Sequence, residues 1–145
     1  MNTPDIMIVD DDDCVRQGIE MTLEVAGYRI RSTRSGQEAL RWLEEEPCDL
    51  LIVDFNMAEM DGPQLLRRVL ARWPLSAPRV LFVSGYGEVP RYENDPEVLA
   101  VPLLVKPFSL GDLIAAVTRG LEAPEPCRTL PEPCRTLKET GTWNS

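Results

Sequence analysis

The run DLLIVD, residues 49–54, carries four apolar side chains in succession between two acids. A strand turns successive side chains to opposite faces, so this one needs cover on both sides. A parallel sheet with helices packed on each face supplies that cover. The rest of the chain repeats the demand. DIMIV (5–9), YRIRS (28–32), RVLFV (79–83) and AVPLLVK (100–106) read as four further strands. Helical spacing separates them. Val15, Ile19, Leu23 and Ala26 form one stripe, stopped by Gly27, and Ser35 with Glu38 opens a second helix through Ala39, Leu40 and Leu43, stopped by Pro47. Pro63 begins a third, with Leu65, Leu66, Val69 and Leu70 behind it; Ser109 with Asp112 caps the last, through Leu113, Ile114, Val117 and Leu121. Pro90 and Pro96 predict a short or distorted fourth helix. Five alternations of strand and helix predict an α/β fold, a five-stranded doubly wound parallel sheet with right-handed crossovers.

Composition narrows the function. A chain of 145 residues holds one domain and room for a tail. A net charge of −9 argues against direct DNA binding and against an anionic membrane surface. No apolar run approaches the roughly 18 residues a membrane helix needs, and MNTPDIMIVD lacks the basic start of a signal peptide. The expected setting is therefore cytoplasmic. The four cysteines form no CxxC pair and are expected to be free thiols. The absence of histidine excludes His-based nucleophilic triads, His-ligated metals and any phosphohistidine donor within the chain. Beyond residue 121 the composition changes to PEPCRTLPEPCRTL, a tandem seven-residue repeat. Residues 122–145 are expected to be a disordered, Pro-rich tail, with a docking peptide as the alternative.

In sheets of this kind, functional groups gather at the carboxyl ends of the strands. Strand one ends at Asp10 and Asp11, strand three at Asp54, strand four at Ser84 and strand five at Lys106. Two carboxylates about 4 Å apart repel by on the order of 4 kcal/mol at an effective dielectric near 20. One lysine cannot neutralise three of them, so the site must raise a carboxylate pKa or bind a cation. Oxygen donors without His or Cys suit a hard divalent ion, Mg²⁺ best. With an ammonium and a hydroxyl beside it, such an ion outlines a phosphoryl-binding site in which a carboxylate can act as nucleophile. Within the run of four acids, the strand register turns Asp10 and Asp11 to the metal. Asp13 is expected to cap the first helix, and Asp12 to be a loop acid beside the site.

The ordered set IVDDD (8–12), LLIVDFNMAEMDG (50–62), VLFVSGYG (80–87) and LVKPFSLGDL (104–113) resembles the receiver domain of two-component response regulators. The resemblance spans residues 5 to 121, within a 1–121 receiver domain, and implies a flavodoxin-like (βα)5 fold. It implies that Asp54 is the phosphoacceptor, attacking the phosphorus of a partner's phosphohistidine. It also implies that Asp11 binds Mg²⁺ directly, Asp10 through water, and Asn56 through its backbone carbonyl, with Asp54 completing the set. Ser84 and Lys106 match the hydroxyl and lysine that contact the phosphoryl group. Asn56 and Tyr86 match the two variable positions that modulate dephosphorylation, and Pro107 a proline often preceded by a cis bond. Leu103 stands where the family often has an aromatic switch residue, and the prolines at 90 and 96 alter a helix on a face that often carries output contacts. SGYG (84–87) resembles receivers attached to hybrid histidine kinases.

The resemblance thus implies a stand-alone, phosphorylation-controlled binding or relay module rather than a conventional enzyme. Its expected partners are a sensor histidine kinase or histidine phosphotransfer protein and an unknown output protein. The alternative is a small Mg²⁺-dependent aspartyl phosphatase of the haloacid-dehalogenase type. That chemistry usually places a second acid two residues after the nucleophile, where this chain has Asn56.

Overall fold

The computed structural model describes residues 3–85 and 95–122. Its central strand is β3 (Leu50–Asp54), buried along its whole length. To one side lie β1 (Asp5–Val9) and β2 (Arg29–Thr33), and to the other β4 (Arg79–Ser84) and β5 (Leu103–Val105). The strands pair in parallel in the order β2-β1-β3-β4-β5, so the winding reverses between β1 and β3. Among the described residues, five helices connect and follow them: α1 (Asp13–Val25), α2 (Gly36–Glu45), α3 (Gly62–Arg72), α4 (Pro96–Leu99) and α5 (Leu110–Glu122). The expected doubly wound α/β sheet is present.

Side-chain alternation splits the core in two. Met7, Val9, Leu51, Val53 and Phe82 face α2, α3 and α4, through Ala39, Leu65, Val69 and Val98. Ile6, Ile8, Leu50, Ile52 and Val83 face α1 and α5, through Ile19, Leu23, Leu113 and Val117. Both faces of the central strands are thus covered, which is why their sequences are continuously apolar. In α5 the inward stripe is Leu113, Ala116, Val117 and Gly120, so Ile114 is turned outward.

Helix boundaries follow local chemistry. Gly27, with φ of 104°, takes the left-handed conformation that ends α1. The Ser35 hydroxyl accepts from Glu38 N–H at 3.2 Å, but the Glu38 carboxylate does not return to Ser35 N–H. It accepts from the Thr33 hydroxyl, which in turn accepts from Ser35 N–H at 3.1 Å, so the expected capping box closes through Thr33. Asp61 and Gln64 make a reciprocal capping box at the start of α3. Ser109 and Asp112 do the same at α5, at 3.0 and 3.2 Å. Pro90 lies outside the described residues, and Pro96 opens the short α4 behind the cap of Asp95 instead of distorting it.

The first helix corrects the reading of the acid run. Asp12, not Asp13, is the N-cap, accepting from Cys14 N–H at 3.0 Å and Val15 N–H at 3.2 Å. Asp13 lies in the first turn and pairs with Arg16 at 2.8 Å. Ideal capping geometry at the strand-to-helix turn favours the residue whose backbone is still extended, and Asp12 has φ −88° and ψ 109°. Asp12→Ala is therefore expected to lower stability by about 1 kcal/mol, and Asp13→Ala by only a few tenths. Urea denaturation of both variants checks this, and the reverse order would overturn the assignment.

Cys14 and Cys48 carry free thiols, while Cys127 and Cys134, like the repeat of residues 124–137, lie outside the described residues. Among the described residues, no helix is long and apolar enough to cross a membrane.

Candidate functional site

The carboxyl ends of β1, β3, β4 and β5 meet beside the point where the winding reverses. Asp10 follows the last residue of β1, and its N–H extends the ladder by donating to Thr33 O at 3.1 Å. Asp10 is buried. Its Oδ1 accepts from Asp12 N–H at 2.8 Å, whereas its buried Oδ2 has no hydrogen-bond partner. Asp11 is half-buried, and its Oδ2 accepts from Ala58 N–H at 3.0 Å, joining the β1–α1 and β3–α3 loops.

Asp54 ends β3 and is 5% exposed. Just beyond it the chain is pinned twice, by Phe55 N–H to Val83 O at 2.7 Å and by Gly62 N–H to Phe55 O at 3.0 Å. A Cβ on Gly62 would stand 3.0 Å from Asp54 O and from Phe55 Cα, so only glycine lets α3 begin this close to the strand end. Lys106 Nζ lies 3.4 Å from Asp54 Oδ1, and Lys106 N–H donates to Ser84 O at 2.7 Å. Ser84 is fully buried, and its hydroxyl donates to Gly85 O at 2.8 Å.

One carboxylate oxygen from each of Asp10, Asp11 and Asp54 can be chosen such that all three lie within 4.8 Å of one another. Their electrostatics follow from that crowding. Burial raises the Asp54 pKa from 3.8 to about 6, with the Asp10 charge adding to the rise. The Lys106 ammonium and the Asn56 N–H oppose it without cancelling it. Asp10 is raised too, by burial first, against the Asp12 N–H and Lys106. Three hard oxygen donors, the orphaned buried Oδ2 of Asp10, and the resistance of Asp10 and Asp54 to ionisation are what a site able to hold a divalent cation would offer. The donor set fits Mg²⁺.

Of the residues named from sequence, Asp10, Asp11, Asp54, Ser84 and Lys106 are gathered at this edge. Asn56 is exposed on the β3–α3 loop, its N–H directed to Asp54. The Lys106–Pro107 peptide bond is cis. Leu103 begins β5 and is 37% exposed; Tyr86 lies outside the described residues. Sequence reasoning passed over three groups that shape the site: Gly62, the Ala58 N–H and Arg16. The D-x-x-Q pattern of Asp61–Gln64 before an apolar run marks the start of α3, but no local signal marks these three.

The chain is similar to known proteins. The family described as response regulator receiver domain matches residues 6–118. The sensor kinase CckA of Brucella abortus (strain 2308) is 39% identical over 119 residues, covering 81% of this chain and 12% of that protein. The response regulator receiver protein CpdR of the same organism is 33% identical over 118 residues, covering 81% of this chain and 97% of that one. The chain therefore spans a small part of one relative and nearly all of the other. Among solved structures, the chemotaxis protein CheY4 of Vibrio cholerae superposes with a TM-score of 0.73 at 26% identity, over 82% of this chain and 99% of that one.

Proposed function

The chain belongs to the response regulator receiver family of two-component phosphorelay signalling, and on that premise we propose that Asp54 accepts a phosphoryl group from a partner's phosphohistidine. The carrying observation is the crowding of Asp10, Asp11 and Asp54 oxygens within 4.8 Å, with Lys106 3.4 Å from the proposed nucleophile. A carboxylate oxygen of Asp54 attacks phosphorus, the donor's P–N bond breaks, and the imidazole leaves with that electron pair and takes up a proton. The product is an acyl phosphate on Asp54.

Receiver domains generally bind Mg²⁺ at an acidic pocket. Here Asp10, Asp11, Asp54 and the Asn56 carbonyl would hold it, and when bound it supplies positive charge that screens the phosphoryl oxygens from the acids. Lys106 serves the same end from the opposite strand: its ammonium already neighbours Asp54 and can follow a phosphoryl oxygen placed there. Ser84, at the end of β4, would exchange its bond to Gly85 O for one to the phosphoryl group. Asn56, Tyr86, Leu103 and Pro107 would modulate the lifetime of the acyl phosphate and the response to it.

In this reading the chain works in the cytoplasm as a single-domain module, supported by its 97% coverage of CpdR. A sensor histidine kinase or histidine phosphotransfer protein supplies the phosphoryl group. The output is phosphorylation-dependent protein binding or onward relay, without direct DNA contact, and the chain is a switch rather than a conventional enzyme. The family match lends no support to the phosphatase alternative, and Asn56 cannot serve as its general acid.

The test is incubation with Mg²⁺ and acetyl phosphate, read by intact mass. A single phosphoryl adduct is expected, absent in Asp54→Asn and strongly slowed in Asp11→Ala together with lost Mg²⁺ binding. An adduct retained in Asp54→Asn, or steady release of phosphate without any adduct, would overturn the proposal.

A further inference from the structure

The peptide linking Asp10 to Asp11 lies beyond the last paired residue of β1, where the sheet no longer holds its carbonyl. A side chain holds it instead. Arg16, from the first turns of α1, donates from Nη1 to Asp10 O at 2.9 Å. Its Nη2 pairs with Asp13 Oδ1 at 2.8 Å, and the Arg16 side chain is only 14% exposed. On the other side, Asp10 N–H is held by Thr33 O at 3.1 Å. Both polar groups of the Asp10 backbone are thereby fixed.

We propose that Arg16 is a positioning residue for the acidic site. Three carboxylates gathered within 4.8 Å repel, and the half-buried Asp11 could relieve the repulsion by turning to solvent. Rotation of the Asp10–Asp11 peptide plane is one such route, because it carries the Asp11 Cα and its carboxylate away from the other two. The guanidinium on Asp10 O opposes it, and so keeps both carboxylates directed at Asp54. Asp13 matches the guanidinium charge from outside the triad, so Arg16 orients the acids through their backbone without pairing with them. This role rests on the receiver reading only for its consequence on Mg²⁺ affinity; the orientation of Asp11 is open to measurement without metal.

Two readings on the folded, full chain test it. The first is the amide resonance of Ala58 in metal-free protein, which reports the Asp11 carboxylate because Ala58 N–H donates to it. The second is the Mg²⁺ dissociation constant by calorimetry. Arg16→Gln is expected to move the Ala58 resonance and weaken Mg²⁺ binding about tenfold, as loss of groups that orient metal ligands commonly does. Arg16→Lys, which retains one donor, should fall between it and the wild type. Asp13→Ala, which removes only the ion pair, should leave the affinity within about twofold. A folded Arg16→Gln with the wild-type resonance and affinity would overturn the proposal. If Arg16→Gln does not fold, Arg16→Lys decides: altered values support the role and wild-type values overturn it. A wild-type chain that fails to bind Mg²⁺ would defeat the Mg²⁺-dependent phosphoacceptor reading, while the Ala58 resonance would still decide the role of Arg16.

Discussion

Asp54→Asn is expected to make the metal-free protein more stable at neutral pH, although it removes the proposed nucleophile. Burial and the neighbouring Asp10 charge raise the Asp54 pKa from 3.8 to about 6. Between those values the native state binds a proton more tightly than the unfolded chain does. Stability therefore falls as pH rises through that window, and the loss is complete above it. Asparagine has no proton to lose, so it escapes the penalty. The gain of Asp54→Asn over wild type should be near zero at about pH 4 and grow to at most about 3 kcal/mol by about pH 7. For a domain of this size that is on the order of 5–10 °C in Tm. Saturating Mg²⁺ should reverse the order, because a ligand that binds the native state stabilises it, and wild type binds it better. Thermal unfolding at the two pH values, with chelator and with Mg²⁺, provides the measurement. A difference independent of pH would show that Asp54 is not electrostatically strained in the fold.

The second large effect is expected at Gly62. Its N–H donates to Phe55 O at 3.0 Å, and a Cβ there would meet Asp54 O and Phe55 Cα at 3.0 Å and Phe82 Cε1 at 3.1 Å. Two of those three atoms are backbone and cannot rotate away. The third belongs to a ring held edge-on against Phe55, with centroids 5.0 Å apart. Gly62→Val must therefore push α3 off the end of β3, at a cost of about 3 kcal/mol or more. Because the displaced atoms include the carbonyl of Asp54, Mg²⁺ binding should weaken as well. Gly18→Ala provides the contrast, since a Cβ in mid-α1 meets nothing within 4 Å. It should stabilise by about 0.5–1 kcal/mol through helix propensity alone. Denaturant unfolding of the two variants distinguishes crowding from a general intolerance of glycine replacement; near-equal stabilities would refute the packing argument.

The elements legible in sequence are those that carry their own signal. Burial of β3 on both faces is written in its unbroken apolar run, and the Ser109–Asp112 cap in the spacing of two residues. The Asp12 cap was misplaced by one residue because any of four consecutive aspartates can supply a capping oxygen. Only the backbone angles at the turn decide which one does. The run of residues 100–106 reads as one strand, yet it pairs only at Leu103–Val105. It lies at the edge with β4 as its single neighbour, so its length depends on that neighbour and not on its own apolar content. Pro96 looked like a breaker and instead opens a helix, because Asp95 before it supplies the cap.

The sequence by itself determined the order of strands and helices and the chemical type of each strand end. Periodicity and residue type are local, so Asp10, Asp11, Asp54, Ser84 and Lys106 could be named before any contact was known. Tertiary structure alone decided what those groups experience. It brought three acids within 4.8 Å, left Asp10 Oδ2 without a partner, and raised the Asp54 pKa to about 6. It also recruited Arg16, Ala58 and Gly62 to hold them. These properties arise from burial and from contacts that form only once the elements are packed, across 47 residues for Ala58 and Asp11 and across six for Arg16 and Asp10, and no periodic pattern encodes them.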